Sequence, residues 1–173
     1  MRVLKAIGAK WHVYVSWLLF SAVFWGWIFT LVTDAPAEKK VTFFLSAPAC
    51  RDTALDEELE KTMPEGIRQV RAHLFSYVMF DESELLNADF YVVPEGDAGK
   101  YLESFRPLPE AMAEREGVWT HGGAAYGLPV KGAASAWVDY VPGESYYLFF
   151  GVNSVHAADG AAESVADTFL NLP

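Results

Sequence analysis

A single cysteine, Cys50, stands among the 173 residues of this chain. An intrachain disulfide is therefore excluded, and so is a zinc site built on a thiol pair. Basic residues are scarce after position 33. The remaining 140 residues hold ten Lys+Arg against 23 Asp+Glu, a formal charge of −13. Phosphate backbones and anionic lipid surfaces both call for cationic partners, so this body suits neither. Its self-repulsion suits a soluble domain that stays dispersed. The chain also lacks a Walker A loop, a G-x-G-x-x-G turn, an H-E-x-x-H helix and a G-x-S-x-G elbow, which leaves no recognised phosphate cradle, zinc helix or strained serine. There is no internal repeat and no low-complexity tract.

The first 33 residues have the opposite character. They carry Arg2, Lys5 and Lys10, no acid, and four of the six tryptophans. Val13 to Thr33 is free of charge. At 1.5 Å per residue that stretch makes a helix of about 31 Å, enough for a hydrocarbon core of roughly 30 Å. Trp11, Tyr14, Trp25 and Trp27 suit the aromatic belts at the interfaces, and the cations before the span put the N-terminus in the cytoplasm and the body outside. Two rivals exist. Ala35-Pro36-Ala37 offers an A-x-A cleavage pattern, but a signal peptide carries an apolar stretch of only 7–15 residues. A buried core helix would need more covering chain than is present. Leu45 to Cys50 loosely resembles a lipobox, yet Pro48 sits badly in it and the hydrophobic stretch lies too far upstream. The expected layout is a cytoplasmic N-terminus (1–12), a transmembrane signal anchor (13–33), a linker (34–40) and an extracytoplasmic α/β domain (41–173).

Within the outer domain, Val41 to Ser46 reads as a strand buried on both faces. A helix over Thr53 to Met63 follows, with Asp52 or Thr53 as cap. Gln69 to Phe80 is a second strand, Asp81 to Asn87 a short helix, and Ala88 to Val93 a third strand stopped by Pro94. Helices are expected over Gly96 to Phe105 and Pro109 to Arg115. Strands are expected over Ala125 to Val130, where Pro129 implies an edge or short strand, and over Ser145 to Val152. Ala161 to Leu172 closes the chain as a helix with Val165, Phe169 and Leu172 on one stripe. This order predicts a three-layer α/β/α sandwich with a mostly parallel sheet.

Open sheets of that kind bind ligands beyond the carboxyl ends of their strands. Those ends fall near Ser46-Ala47-Pro48, Asp81-Glu82, Pro94-Glu95-Gly96 and Lys131-Gly132. The candidate ligand-binding residues are Ser46, Glu95, Gly96, Asp97, His121 and Lys131, with Glu95-Gly96-Asp97 best by position. His121-Gly122-Gly123 reads as a turn or a mobile contact. His73, His121 and His156 are scattered singly, which predicts no metal site, and no cofactor or catalytic residue is expected. Tyr126, Tyr146, Tyr147, Phe149 and Phe150 stand at strand spacing, as core or as an aromatic docking face.

V-T-F-F-L-S with its helix, then A-D-F-Y-V-V-P-E and G-K-Y-L-E-S-F-R-P-L, then G-G-A-A-Y-G-L-P-V-K and G-V-N-S-V-H-A before the last helix, resemble in their order bacterial extracellular solute-binding proteins of ABC importers. The likeness runs over roughly residues 40–172. It implies one lobe of a two-lobed fold that clamps solute by hinge closure. Only 15 residues separate Val130 from Tyr146, where a second lobe would be inserted.

The function expected from this is a membrane-anchored, non-catalytic binding or interaction module. Its partners would be the membrane, a small solute, and a membrane protein such as an ABC permease, with no nucleic acid. Two alternatives stand beside it: a solute receptor for transport formed by two copies face to face, and an extracytoplasmic enzyme with an unrecognised site. The anchor is directly checkable. Intact-mass analysis of the chain from membranes should retain residues 1–37, and a mature N-terminus at Glu38 would show that the span is cleaved.

Overall fold

The computed structural model describes residues 10–33, 35–74, 87–158 and 160–173. The chain divides into two compact units, Met1–Pro36 and Ala37–Pro173. The first holds helix α1 (Trp11–Thr33). Its span Trp11–Thr30 has a mean hydropathy of 1.6 and none of it is buried, so it is long and apolar enough to cross a membrane. Trp17, Leu18, Phe20, Val23 and Trp25 all stand exposed. A helix satisfies its own backbone, which is what an apolar medium demands, and the Thr30 hydroxyl donates to the Gly26 carbonyl at 3.0 Å.

The second unit runs β1 (Lys40–Leu45), β2 (Ala49–Cys50), α2 (Asp52–Thr62), β3 (Gln69–Leu74), β4 (Phe90–Pro94), α3 (Glu95–Ala98), β5 (Phe105–Arg106), α4 (Glu110–Ala113), β6 (Trp119–His121), β7 (Ala124–Val130), β8 (Val138–Asp139), β9 (Tyr146–Gly151) and α5 (Ala161–Leu170). Among the described residues seven strands form one sheet in the order β3-β1-β4-β9-β7-β6, with β5 also on β9. β1 lies parallel to β3 and β4. β9 is antiparallel to β4 and β7, and β6 to β7. The α/β class therefore stands, with a parallel half and an antiparallel half. The halves differ because β1, β3 and β4 are joined by long crossovers, whereas β6 and β7 meet through Gly122-Gly123, both at positive φ as a tight hairpin requires.

Several boundaries differ from expectation. The linker ends earlier, since Ala37–Lys39 is a 3-10 turn and Lys40 begins β1. The helix expected over Gly96 to Phe105 is α3 followed by a 3-10 segment, Gly99–Ser104. Pro129 lies in β7 between other strands of the sheet; at that residue β9 pairs on one side while β6 has already ended. The small β2–β8 pair was not foreseen. The second half of the expected strand 69–80 and most of the helix expected over 81–87 lie outside the described residues.

Both faces of the sheet are buried along β4 and the second half of β1, which explains the missing alternation there. On one face Val41, Phe43, Leu45, Phe90, Val92, Leu148 and Phe150 pack under Leu55 and Leu59 of α2 and Val165 and Phe169 of α5. Phe43 stacks between Phe90 and Phe169, with centroids at 4.8 and 5.0 Å. The other face carries Phe44, Tyr91, Val93, Phe105 and Phe149. β9 runs close against its neighbour: a Cβ on Gly151 would overlap the Ala88 carbonyl oxygen.

A buried carboxylate ties the amino ends of β1 and β4 together. Asp89 is 4% exposed. Its Oδ2 accepts from the Thr42 amide at 2.9 Å and its Oδ1 from the Ser154 hydroxyl. Its own amide donates to the Thr42 carbonyl and its carbonyl accepts from Gly151. The His156 amide donates to the Ser154 hydroxyl oxygen at 3.2 Å, and His156 Nε2 lies 3.1 Å from the Lys40 carbonyl. A carbonyl only accepts, so Nε2 carries the proton.

Carboxylates also cover the outer edge of β3. The Ala72 amide donates to Asp56 Oδ1 at 2.6 Å and the Val70 amide to Glu60 Oε1 at 3.2 Å. Residues four apart on α2 thus serve residues two apart on the strand. Burial pushes the Asp56 carboxyl up to about 6; the Ala72 amide and Arg71 pull it down, and Asp52 and Glu60 push it up further.

Two stability measurements follow. Asp89→Ala leaves the Thr42 amide and the Ser154 hydroxyl without their acceptor and should cost about 3 kcal/mol in chemical denaturation, against less than about 0.5 kcal/mol for Glu57→Ala on the exposed side of α2. The unfolded Asp56 carboxyl titrates near 3.8 and the folded one near 6. In that window the folded chain holds a proton that the unfolded chain has lost. Asp56 thus favours folding in acid, and that contribution disappears as pH rises through about 6. Denaturation midpoints of Asp56→Asn should show a flatter pH dependence than wild type between pH 4 and 6.

Candidate functional site

β4 ends at Pro94, where the chain turns into α3, and the Glu95 amide donates to the Ser145 carbonyl at 2.8 Å. That bond sets the start of α3 beside the turn that feeds β9. The turn is built by Val141-Pro142-Gly143-Glu144: Gly143 takes a φ of +87°, and the Glu144 amide closes on the Val141 carbonyl. Between these two segments lies an open cavity of about 510 Å³, lined by Pro94 to Asp97 on one side and Gly143 to Ser145 on the other.

Three carboxylates rim this cavity. Asp97 is held by Lys100 Nζ on the next turn. Glu144 Oε2 accepts from the Tyr146 hydroxyl at 3.4 Å, and that hydroxyl oxygen accepts from the Val141 amide at 3.3 Å. Burial raises the Tyr146 hydroxyl pKa, the Val141 amide lowers it, and Glu144 raises it further. Tyr147 is raised by burial and by Glu95. Glu95 is exposed. The site is therefore negative, and the Tyr146 and Tyr147 phenols on the strand beside it stay protonated at neutral pH. Such a rim disfavours anions and offers acceptors to a polar or cationic group.

Sheet register decides which expected residues belong here. Pro94 and Val130 both pair with Tyr146, so the carboxyl ends of β4 and β7 share one end of the sheet. Glu95, Gly96 and Asp97 line the cavity. Ser46 follows β1 at the same end, with its amide on the Val92 carbonyl at 2.8 Å. Exposed Lys131 follows β7 there. Neither lines the cavity. His121 is at the opposite end, in the hairpin where β7 begins, with its ring stacked on Trp119 at 5.8 Å. The register thus sets His121 apart from the other candidate residues, in the turn expected for His121-Gly122-Gly123. Gly143-Glu144-Ser145 was not singled out beforehand, although the Pro142-Gly143 dipeptide before a strand marks a turn.

Other chemistry-bearing groups are arranged for structure. Among the described residues, no group of three or more His, Cys, Asp or Glu side chains is gathered to hold a metal. The Cys50 thiol is pushed up to about 11 by burial and by Asp52, Asp56 and Asp139, so it stays protonated and a poor nucleophile at neutral pH. Ser154 gives its hydroxyl proton to Asp89 while the His156 ring faces Lys40, so these two do not form a nucleophile–base pair. The aromatics divide by face: Tyr146 and Phe150 join the core under the helices, and Phe149 joins the opposite core with half-buried Tyr126, Tyr147 and Trp119 against it.

The chain matches no protein-family model and no curated protein sequence. A solved structure, thiaminase I from Bacillus thiaminolyticus, resembles it over 52% of this chain and 28% of that one, at 15% identity and a TM-score of 0.33. This chain thus corresponds to less than a third of that protein's length, and the likeness transfers no activity. The expectation that the chain is non-catalytic is not carried further.

Proposed function

We propose that this chain is a single-pass, membrane-anchored binding module, with its N-terminus in the cytoplasm and its α/β unit outside. In this reading the unit is a three-layer lobe similar to one half of a bacterial extracellular solute-binding protein. It takes a small polar or cationic solute at the carboxyl end of β4 and works beside a membrane protein such as an ABC permease. The observation that carries the reading is the cavity between Glu95-Gly96-Asp97 and Gly143-Glu144-Ser145. It lies beyond the carboxyl end of β4, at the border between the parallel and antiparallel halves of the sheet; open α/β sheets receive ligands beyond the carboxyl ends of their strands. The order of the sequence segments supports the family likeness, and the apolar span Trp11–Thr30 supports the anchor.

One half of a cleft buries less of a solute than two closing halves, so affinity in the micromolar to millimolar range is expected. The test is a thermal-shift screen of the full chain in detergent micelles against pooled amino acids, amines, sugars and phosphate. A stabilising pool of amines or amino acids is expected. Its effect should fall at least fivefold in Glu95→Gln with Glu144→Gln, and should persist in Glu57→Gln on α2. No shift in any pool, or a shift that the paired substitutions leave untouched, would overturn the site.

A further inference from the structure

The apolar helix α1 ends at Thr33, and the α/β unit begins at Ala37. Residues 34–36 lie between, so four Cα steps carry the chain at most about 14 Å. A headgroup layer is itself roughly 5–8 Å deep. If α1 spans a bilayer, the end of the unit that receives this tether is kept beside the headgroups. No slack is hidden at that end. Ala37–Lys39 is already a 3-10 turn, and the Lys39 carbonyl accepts from the Arg68 amide at 2.8 Å. The chain enters β1 at Lys40. Sheet register brings the amino ends of β1, β3, β4 and β7 and the carboxyl end of β9 together there.

Among the described residues of the unit, three large apolar side chains are exposed: Leu74, Val152 and Val155. The two valines share this end. Val152 follows β9, with its amide on the Ser104 carbonyl at 2.9 Å. Val155 opens the 3-10 turn Val155–Ala158, where His156 Nε2 meets the Lys40 carbonyl. Both valines thus stand on backbone that is hydrogen-bonded to the core, yet they are 48% and 55% exposed. Around them are charges of both signs, Glu38 and Glu65 with Lys39, Lys40 and Arg68. The acidic rim of the cavity is at the other end, about 20 Å away along the six residues of β1.

We propose that the amino end of the sheet rests on the outer face of the bilayer that α1 crosses, with Val152 and Val155 turned into the headgroup region of zwitterionic lipid. The tether selects the occupant, because the bilayer is the one surface bound to lie within its reach. Mixed charge suits headgroups that carry both signs, whereas the net negative charge of the unit disfavours an anionic surface. This inference rests on the anchored reading and is independent of the solute. It leaves the cavity opening away from the membrane, toward solute in the outer space.

The test uses the full chain in phosphatidylcholine nanodiscs. Single nitroxide labels are placed through Val152→Cys, Val155→Cys, Lys131→Cys and Leu19→Cys, each in a Cys50→Ser background. Electron paramagnetic resonance then reads collisions with oxygen, which concentrates in lipid, and with an aqueous nickel chelate. Crowding by protein lowers both rates, so their ratio reports lipid contact. The oxygen-to-chelate ratio at Val152 and at Val155 should exceed that at Lys131, at the far end, at least fivefold; either valine position suffices where the other variant does not fold. The Leu19 label within α1 should give the highest ratio. Valine labels within twofold of Lys131, beside a lipid-buried Leu19, would overturn this inference and leave the anchor standing. A Leu19 label open to the chelate would overturn both.

Discussion

When both faces of a sheet are packed, its backbone polar groups can find partners only along the ladder, at the outer edge and at the strand ends. Everything else in this unit follows from how those places are closed. The β1 and β4 amino ends are closed by Asp89, whose two oxygens take an amide and a hydroxyl. The β3 edge is closed by Asp56 and Glu60. At the carboxyl ends, backbone meets backbone, as Glu95 does with Ser145 and Ser46 with Val92. The acids there are left to face solvent around a cavity. A composition rich in Asp and Glu is thus partly architectural and partly free, and the free part is where a ligand can be met.

This division also separates two kinds of carboxylate energetically. Asp89 is bound on both oxygens and nearly sealed, so removing it exposes a defect in the core. Asp97 has a lysine that shares it with water, and such pairs contribute little to stability. Substitutions at the rim can therefore alter binding without unfolding the sheet, which is what a binding surface requires of its scaffold.

Much of the fold could be read from residue order. The runs Val41 to Leu45, broken only by Thr42, and Phe90 to Val93 point to burial on two faces, and both lie in interior strands. Pro94 and the acids after it marked a strand end, and the cavity opens there. What could not be read was direction and register. Nothing in Tyr146 to Gly151 says that it runs against β4, and that reversal is what brings Gly143 to Ser145 beside Glu95. The place of His121 was hidden for the same cause: its turn with Gly122-Gly123 is legible, but a loop histidine looks alike at either end of a sheet, and only the hairpin places it at the far one. The roles of Asp56, Glu60 and Asp89 were hidden because each acts on backbone distant in sequence, where side-chain pattern carries no trace.

β9 has a further consequence through its position. It joins β4 on one side and β7 with β5 on the other, yet it is the last strand to be synthesised. At roughly 5–20 residues per second, the stretch from Pro94 to Tyr146 takes about 3–10 s to make. Throughout that interval the inner border of β4 has no mate. Until Tyr146 to Gly151 has been made, that border of β4 must be kept from pairing with another strand.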